Sequence, residues 1–274
     1  MTTRALIIGS NGGVGSAVLS LLERSAAGSL LRSGIDELLL VDKEPAPPDS
    51  LPAGCTVLPP AAVASPGDLE RLVRENGVSQ VIDLSSIDTL DAARICDEAG
   101  ASFLCTSIEE WPGRPSIPTD VAIAKLKPSH RPPLARRRHL VGSGANPGIV
   151  NALAFAAIEA FAARVGVEPT VEALDLHAVL ITEEDTTREP DVRYDDDVFP
   201  MTWSPAHCLE ELFEPRSFVA RDGAAIDLGH RPTERTYRVR CGDRIVEGKA
   251  VPHEETKTLS WRLGGVELAF VYRL

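Results

Sequence analysis

Four glycines fall within seven residues, Gly9-Ser10-Asn11-Gly12-Gly13-Val14-Gly15, between an apolar run at residues 4–8 and a helical pattern at 16–24. A glycine turn leading from a strand into a helix N-terminus makes an anion site. The helix end offers unpaired N–H groups and a partial positive charge, and residues without Cβ let the backbone approach a phosphate closely. The spacing of Gly9, Gly12 and Gly15 is G-x-x-G-x-x-G, one residue wider than the commonest dinucleotide fingerprint. The next apolar run, Glu37-Leu38-Leu39-Leu40-Val41, ends in Asp42. An acid in that window suits the ribose hydroxyls of a bound dinucleotide and repels a 2′-phosphate, which favours NAD(H) over NADP(H). Lys43 weakens the discrimination. The cofactor-binding candidates read from the loop are therefore Gly9, Gly12, Gly13, Val14, Gly15 and Asp42, and the implied cofactor is NAD.

Further polar groupings stand where a plain fold does not need them. Thr106-Ser107-Ile108-Glu109-Glu110-Trp111 follows a strand pattern, and Gly142-Ser143-Gly144-Ala145-Asn146-Pro147-Gly148 forms a second strand-to-helix turn. Ile181-Thr182-Glu183-Glu184-Asp185-Thr186 closes another strand. Thr202-Trp203-Ser204 is followed by Glu210-Glu211, and later by Val251-Pro252-His253-Glu254-Glu255.

The elements that must position these groups divide the chain in two. Short apolar runs at 5–9, 37–42, 57–58, 81–84, 103–105 and 140–142 alternate with helical patterns at 14–24, 67–76, 89–99 and 119–125. That alternation predicts an α/β domain with a doubly wound parallel sheet of Rossmann type over residues 1–145. The proline-rich stretch 44–60 and the basic, proline-interrupted stretch 127–138 read as connections. From residue 146 the pattern changes. An Ala-rich helix over 149–165 precedes strand-like runs at 171–181, 235–241, 244–251, 257–263 and 266–272, with Gly242-Asp243 and Gly264-Gly265 placed as hairpin turns. Residues 146–274 are thus predicted to form a second, mostly antiparallel α+β domain that carries the substrate site.

A chain of 274 residues, 43% hydrophobic and 25% charged, has the composition of a soluble globular protein. Its net charge of −12 disfavours nucleic acid and anionic membranes as partners and suits a cationic ligand. Five dispersed cysteines without a CxxC spacing indicate neither a disulfide framework nor a zinc site, so no metal is expected. With no signal-peptide pattern at the N-terminus, a reducing cytoplasm is the expected compartment.

Taken in order, Ile108 to Trp111, Gly144-Ala145-Asn146-Pro147-Gly148, Glu183 to Thr186, Trp203-Ser204 and His253 to Glu255 resemble the bacterial homospermidine synthases within the wider saccharopine dehydrogenase family. The resemblance extends over nearly the whole chain, and its most specific piece is the Gly144–Gly148 turn followed by a helix. It implies a polyamine-forming transferase in which NAD accepts a hydride from a putrescine-type diamine and returns it to the same product. Carboxylates suit the distal ammonium of a dication through charge-assisted hydrogen bonds. By resemblance, Glu183 and one of Glu210 or Glu211, with Glu211 favoured, take that task. Trp203 becomes a cation–π platform, and His253 with Glu255 moves protons or positions the amine. The resemblance puts the Asn146 amide at the substrate amine or the nicotinamide, and Glu109 near the reacting end of the cofactor.

The residues themselves leave plainer roles open: Trp203 as a core side chain, Asn146 as a helix cap, His253 as a structural histidine and the acids as a solvated face. Four positions depart from the family pattern. Glu110 replaces an expected proline, Cys105 an acid, Glu184 an arginine and Thr187 a glutamine. The family also continues beyond Leu274, leaving its C-terminal part without a counterpart here. The resemblance therefore leaves two other readings: a saccharopine- or carboxynorspermidine-type NAD(P) dehydrogenase, and a shortened nucleotide-binding module without catalysis. Dehydrogenase substrates of that type carry carboxylates and call for arginines, which the acids at 183–185 and 210–211 do not supply. Oligomeric state is unspecified, a homodimer being one arrangement consistent with the sequence.

Overall fold

The computed structural model describes residues 2–45, 54–114, 117–126, 134, 136–184 and 205–273. The chain forms two compact units. Residues 1–116 and 126–148 make the first, and residues 117–125 and 149–274 the second.

The first unit is built on six parallel strands: β1 (Arg4–Ile8), β2 (Glu37–Val41), β3 (Cys55–Val57), β4 (Gln80–Asp83), β5 (Ser102–Cys105) and β6 (His139–Leu140). Their order, β3-β2-β1-β4-β5-β6, is that of the Rossmann fold. Alternate β1 side chains serve two cores. Leu6 and Ile8 pack on one face with Leu69, Val73 and Ala92, while Ala5 and Ile7 pack on the other with Leu19. Helices α1 (Gly13–Arg24) and α2 (Ala26–Arg32) therefore lie opposite α3 (Pro66–Glu75) and α4 (Thr89–Ala99). The ends of the latter pair are fixed by local chemistry. Ser65 caps α3 by accepting from Asp68 N–H at 3.3 Å, with Pro66 in the first turn. Asp88 caps α4 by accepting from Leu90 and Asp91, and Gly100 ends it at φ 78°.

The far edge is held by a buried carboxyl group. Asp97 accepts from the backbone N–H groups of Arg136 (3.0 Å) and Arg137 (2.7 Å) and meets His139 Nε2 at 3.1 Å. This ties the segment entering β6 to the end of α4.

The second unit contains α5 (Thr119–Leu126, of which 119–125 cluster here), α6 (Ile149–Val165), β7 (Ala178–Glu184), α7 (Pro205–Leu212), β8 (Phe218–Arg221), β9 (Ala224–Asp227), β10 (Tyr237–Cys241), β11 (Arg244–Ala250), α8 (Glu254–Ser260) and β12 (Glu267–Arg273). A 3-10 turn at Pro232–Glu234 precedes β10. Strand β12 is central. It runs parallel to β7 throughout and antiparallel to β8 and β11. Its Leu268, Phe270 and Tyr272 form a core with Ile181, Leu212, Phe218 and Leu259.

Three expectations for this unit are corrected. Residues 257–263 are not a strand: α8 occupies Glu254–Ser260, and its buried Leu259 joins the core from a helix turn. Gly264-Gly265 consequently links a helix to β12 and is no hairpin, whereas Gly242-Asp243 does turn β10 into β11. The run 171–181 is strand only from Ala178, because residues 170–175 form turns with Asp175 at φ 48°. Apolar content alone does not separate these cases, since short buried helices and strands carry the same residues.

Candidate functional site

In the first unit two of the loop glycines, Gly9 and Gly15, are demanded by geometry. Gly9 sits at φ 79°, and a Cβ there would lie 2.7 Å from Leu84 O. A Cβ on Gly15 would fall within 2.6 Å of Ser10 O and closer still to Gly9 O, so α1 can pack against the loop only without a side chain at that position. Gly12 is the N-cap of α1, and no side chain caps the helix, leaving its first amides for a ligand. A Cβ on Gly13 would meet nothing within 4 Å, and Val14 is exposed. This loop fits a pyrophosphate.

Asp42 grips the same loop. Its Oδ2 accepts from Asn11 N–H at 2.9 Å and its Oδ1 from Glu44 N–H at 3.2 Å, while Asn11 Nδ2 donates to Glu44 O at 2.8 Å. Glu109 is tied through its backbone to the start of α4. Its N–H donates to Thr89 Oγ1 at 2.9 Å, and its carbonyl accepts from Thr89 N–H at 3.1 Å. Trp111, part of the same motif, is structural. It is buried, and its Nε1 donates to Asp91 Oδ2 at 2.9 Å. Asn146 lies in a turn closed by Gly144 N–H donating to Pro147 O at 2.8 Å, with a cis Asn146–Pro147 peptide. A Cβ on Gly144 would meet Thr106 O at 2.8 Å, so this turn packs closely on the Thr106–Trp111 loop.

Sequence reasoning missed Asp83. It ends β4, is 2% exposed, and accepts from Ser85 Oγ at 2.6 Å and Ser85 N–H at 3.0 Å. Burial pushes its pKa up to about 7 against the opposing Ser85 bonds, and the Glu109 charge adds to the rise. The acid stands inside the apolar run 81–84, and only its burial sets it apart.

In the second unit four residues expected to act together converge. His253 is the N-cap of α8, is 6% exposed, and lies against Phe270 with ring centroids 4.4 Å apart. Its Nδ1 makes a short hydrogen bond to Glu255 Oε2 and lies 3.3 Å from Glu254 Oε2, while its Nε2 lies 3.6 Å from Glu211 Oε1. Glu211 comes from α7. Glu183, on β7 beside Tyr272, is close enough for its charge to raise the Glu211 pKa. Glu210 is exposed, so of the two neighbours only Glu211 faces the histidine. Trp203 lies outside the described residues, as do Asp185, Thr186 and Thr187.

The electrostatics redistribute the expected roles. Burial alone would lower the His253 pKa, but Glu255, Glu254 and Glu211 outweigh it and raise it to about 10. Histidine is therefore the fixed cation here. Burial pushes Glu211 up to about 8; His253 opposes that rise, and Glu254, Glu255 and Glu183 add to it. The Glu211 carboxyl is thereby held closer to neutrality than the His253 imidazole. His253, Glu254 and Glu255 each offer a ligand atom within 4.8 Å of the others, a spacing compatible with a metal ion as well as an ammonium. The hydrogen bond to Glu255 already occupies Nδ1, which disfavours coordination there.

No protein-family model matches the sequence, and neither does any curated protein. Among solved structures, the chain is similar over its whole length to the homospermidine synthase of Legionella pneumophila in complex with NAD, at 19% identity and a TM-score of 0.72. The fold matches. This chain spans 66% of that protein's length. Bordetella bronchiseptica WbmG and Thermus thermophilus UDP-glucose 4-epimerase, both solved with NAD, align with only 39% and 38% of the chain at TM-scores of 0.29. At that level the similarity carries no argument. Among the described residues, no helix is long and apolar enough to cross a membrane.

Proposed function

We propose that the protein is an NAD-dependent, polyamine-forming transferase that joins putrescine-type diamines. The observation that carries this reading is the buried His253–Glu255–Glu211 cluster on a fold similar to homospermidine synthase. Excess carboxyl groups around a single buried imidazolium suit an amine substrate, and they disfavour the carboxylate-bearing substrates of a saccharopine-type dehydrogenase.

NAD, when bound, would accept a hydride from the amine-bearing carbon and later give it back. The uncapped amides of α1 at Gly13, Val14 and Gly15 would hold its pyrophosphate, and Asp42 its adenosine ribose. Hydride loss leaves an imine on the substrate. A second diamine would add through its neutral amine with loss of ammonia, and the hydride that the cofactor supplies would convert the new imine to a secondary amine. Two diamines thus give one triamine and one ammonia with no net redox change. Glu211 is suited to take the proton that a diammonium must lose before its nitrogen can react, because its carboxyl titrates near neutrality. Glu183 and Glu255 would hold the remaining ammonium, and Trp203 would cover it by cation–π contact. Asn146 and Glu109, in the first unit, would orient the reacting end of the cofactor.

Incubation of the protein with NAD⁺ and excess putrescine tests the proposal. Homospermidine and ammonia in equal amounts, without accumulated NADH, are expected. NADH accumulating in step with product would replace the transferase reading with a dehydrogenase. NAD binding without any product would leave a nucleotide-binding module.

A further inference from the structure

Helix α6 is apolar on every side: only Asn151, Glu159 and Arg164 among its residues are polar. A helix of that kind is ordinarily buried all round, since a surface helix carries a polar outer face. Here the second unit covers one face alone. Val150, Ala154 and Ile158 pack on its core, Ala162 is buried, and Asn151 Nδ2 donates to Thr258 Oγ1 of α8 at 3.0 Å. The opposite face is bare. Ile149, Ala152, Leu153, Ala156, Ala160 and Ala163 are all exposed, Ile149 and Leu153 by 61% and 59%.

The spacing on that face specifies what fits it. Leu153, Ala156, Ala160 and Ala163 recur at intervals of three, four and three, the a and d positions of a coiled-coil seam, with Ile149 as the preceding d. Alanine at most of these positions lets a facing helix approach to about 8 Å between axes. Glu159 then falls at g and Arg164 at the following e. Standing five residues apart, they lie on opposite flanks of the seam and do not pair with each other. Both are exposed, and neither has an ion-pair partner among the described residues. Between parallel helices, a g residue of one faces the e residue of the next heptad of the other. A parallel two-fold pair therefore brings Glu159 of each copy to Arg164 of the other, twice by symmetry. An antiparallel pair would set glutamate flank against glutamate flank.

We propose that the outer face of α6 is a homodimer interface, in which two copies pair this helix in parallel along the Leu153–Ala163 seam with Glu159–Arg164 ion pairs on both sides. The inference is independent of the amine reading. A helix of 17 residues is about 25 Å long. The contact is thus smaller than a standard interface of about 1,600 Å², and the expected dissociation constant is micromolar.

Sedimentation velocity from about 1 μM to 1 mM protein tests the proposal. Ionic strength is held at about 0.15 M, which screens the net charge of −12 beyond about 8 Å. Wild type is expected to pass from monomer to dimer over that range. A160E places a carboxylate of each copy on the seam and should weaken the dimer roughly 100-fold or more. Its melting temperature at low concentration should stay that of wild type, because Ala160 is exposed in the monomer. E159R turns both ion pairs into repulsions and should weaken the dimer roughly 10-fold, whereas E159R combined with R164E should return to within about 3-fold of wild type. A wild type that stays monomeric overturns the proposal, and a lowered melting temperature in A160E would then show that another part of the chain covers the face. A dimer indifferent to A160E overturns it by placing the interface elsewhere. A double variant no tighter than E159R overturns the parallel pairing.

Discussion

The two units solve the same problem with different materials. In the first, the candidate site is made of backbone: glycine positions where no Cβ fits, and amides at the open end of α1. In the second it is made of side chains. Glu211, Glu183, His253 and Glu255 come from α7, β7 and α8, and a histidine is buried among acids that a core would normally exclude. A backbone site depends on local conformation and tolerates little steric change. A side-chain site depends on charge balance and tolerates shape change better than loss of a partner.

That contrast can be broken most forcefully at His253. Replacing it by Leu keeps the volume beside Phe270 but strips Glu255 of its partner. Breaking a buried ion pair this way costs about 3–5 kcal/mol, so thermal unfolding of H253L should begin well below that of wild type. H253L combined with E255Q should recover much of the loss; failure to recover would mean the pair is not what holds α8 in place.

Next in size is Gly15. G15A forces a Cβ against the carbonyls of Gly9 and Ser10 and is expected to cost about 1–3 kcal/mol and to abolish detectable NAD binding by calorimetry. G13A, where a Cβ meets nothing, should change stability by less than about 0.5 kcal/mol. Similar behaviour of the two variants would sink the claim that the loop is fixed by close backbone approach.

The smallest effect is a difference in pH response. Groups whose pKa is raised by folding bind protons more tightly in the native state, so stability falls as pH rises between the unfolded and folded values. For Asp83 in the first unit that fall is complete by about pH 7. For Glu211 it extends to about 8, and for His253 from near 6.5 to about 10. Urea midpoints should therefore keep declining above pH 7, and E211Q should flatten the portion between about pH 5 and 8. A wild-type midpoint that stays level from pH 7 to 9 would contradict the buried cluster.

Legibility in the sequence followed the same division. Most of the parallel sheet could be read from the sequence, because elements there are bounded by their own signals: Ser65-Pro66 and Asp88 start helices, and Gly100 stops one. Strand β3, at Cys55–Val57, falls largely inside the proline-rich stretch read as a connection, and α2 was not anticipated. The loop glycines could be named for the same local reason. Asp83 escaped because its significance lies in burial, which no neighbouring residue announces. In the second unit the segment 257–263 misled, since Leu259 reaches the core from a short helix whose apolar content equals that of a strand. His253 with Glu255 is a two-residue spacing and could be noticed. That Glu211 rather than the exposed Glu210 meets it depends on how α7 is rotated in the core, which is settled by Cys208 and Leu212 packing inward.

The grip of Asp42 on the glycine loop bears on how such a protein could be re-engineered. An acid that merely faced a ribose could be exchanged for a small neutral residue to admit a phosphorylated cofactor, with nothing else disturbed. Here the same carboxyl group holds the amides of Asn11 and Glu44, so that exchange would remove a structural tie along with the proposed ribose contact. Switching cofactor preference in this chain is therefore a two-step design problem, in which the loop must first be given a new anchor.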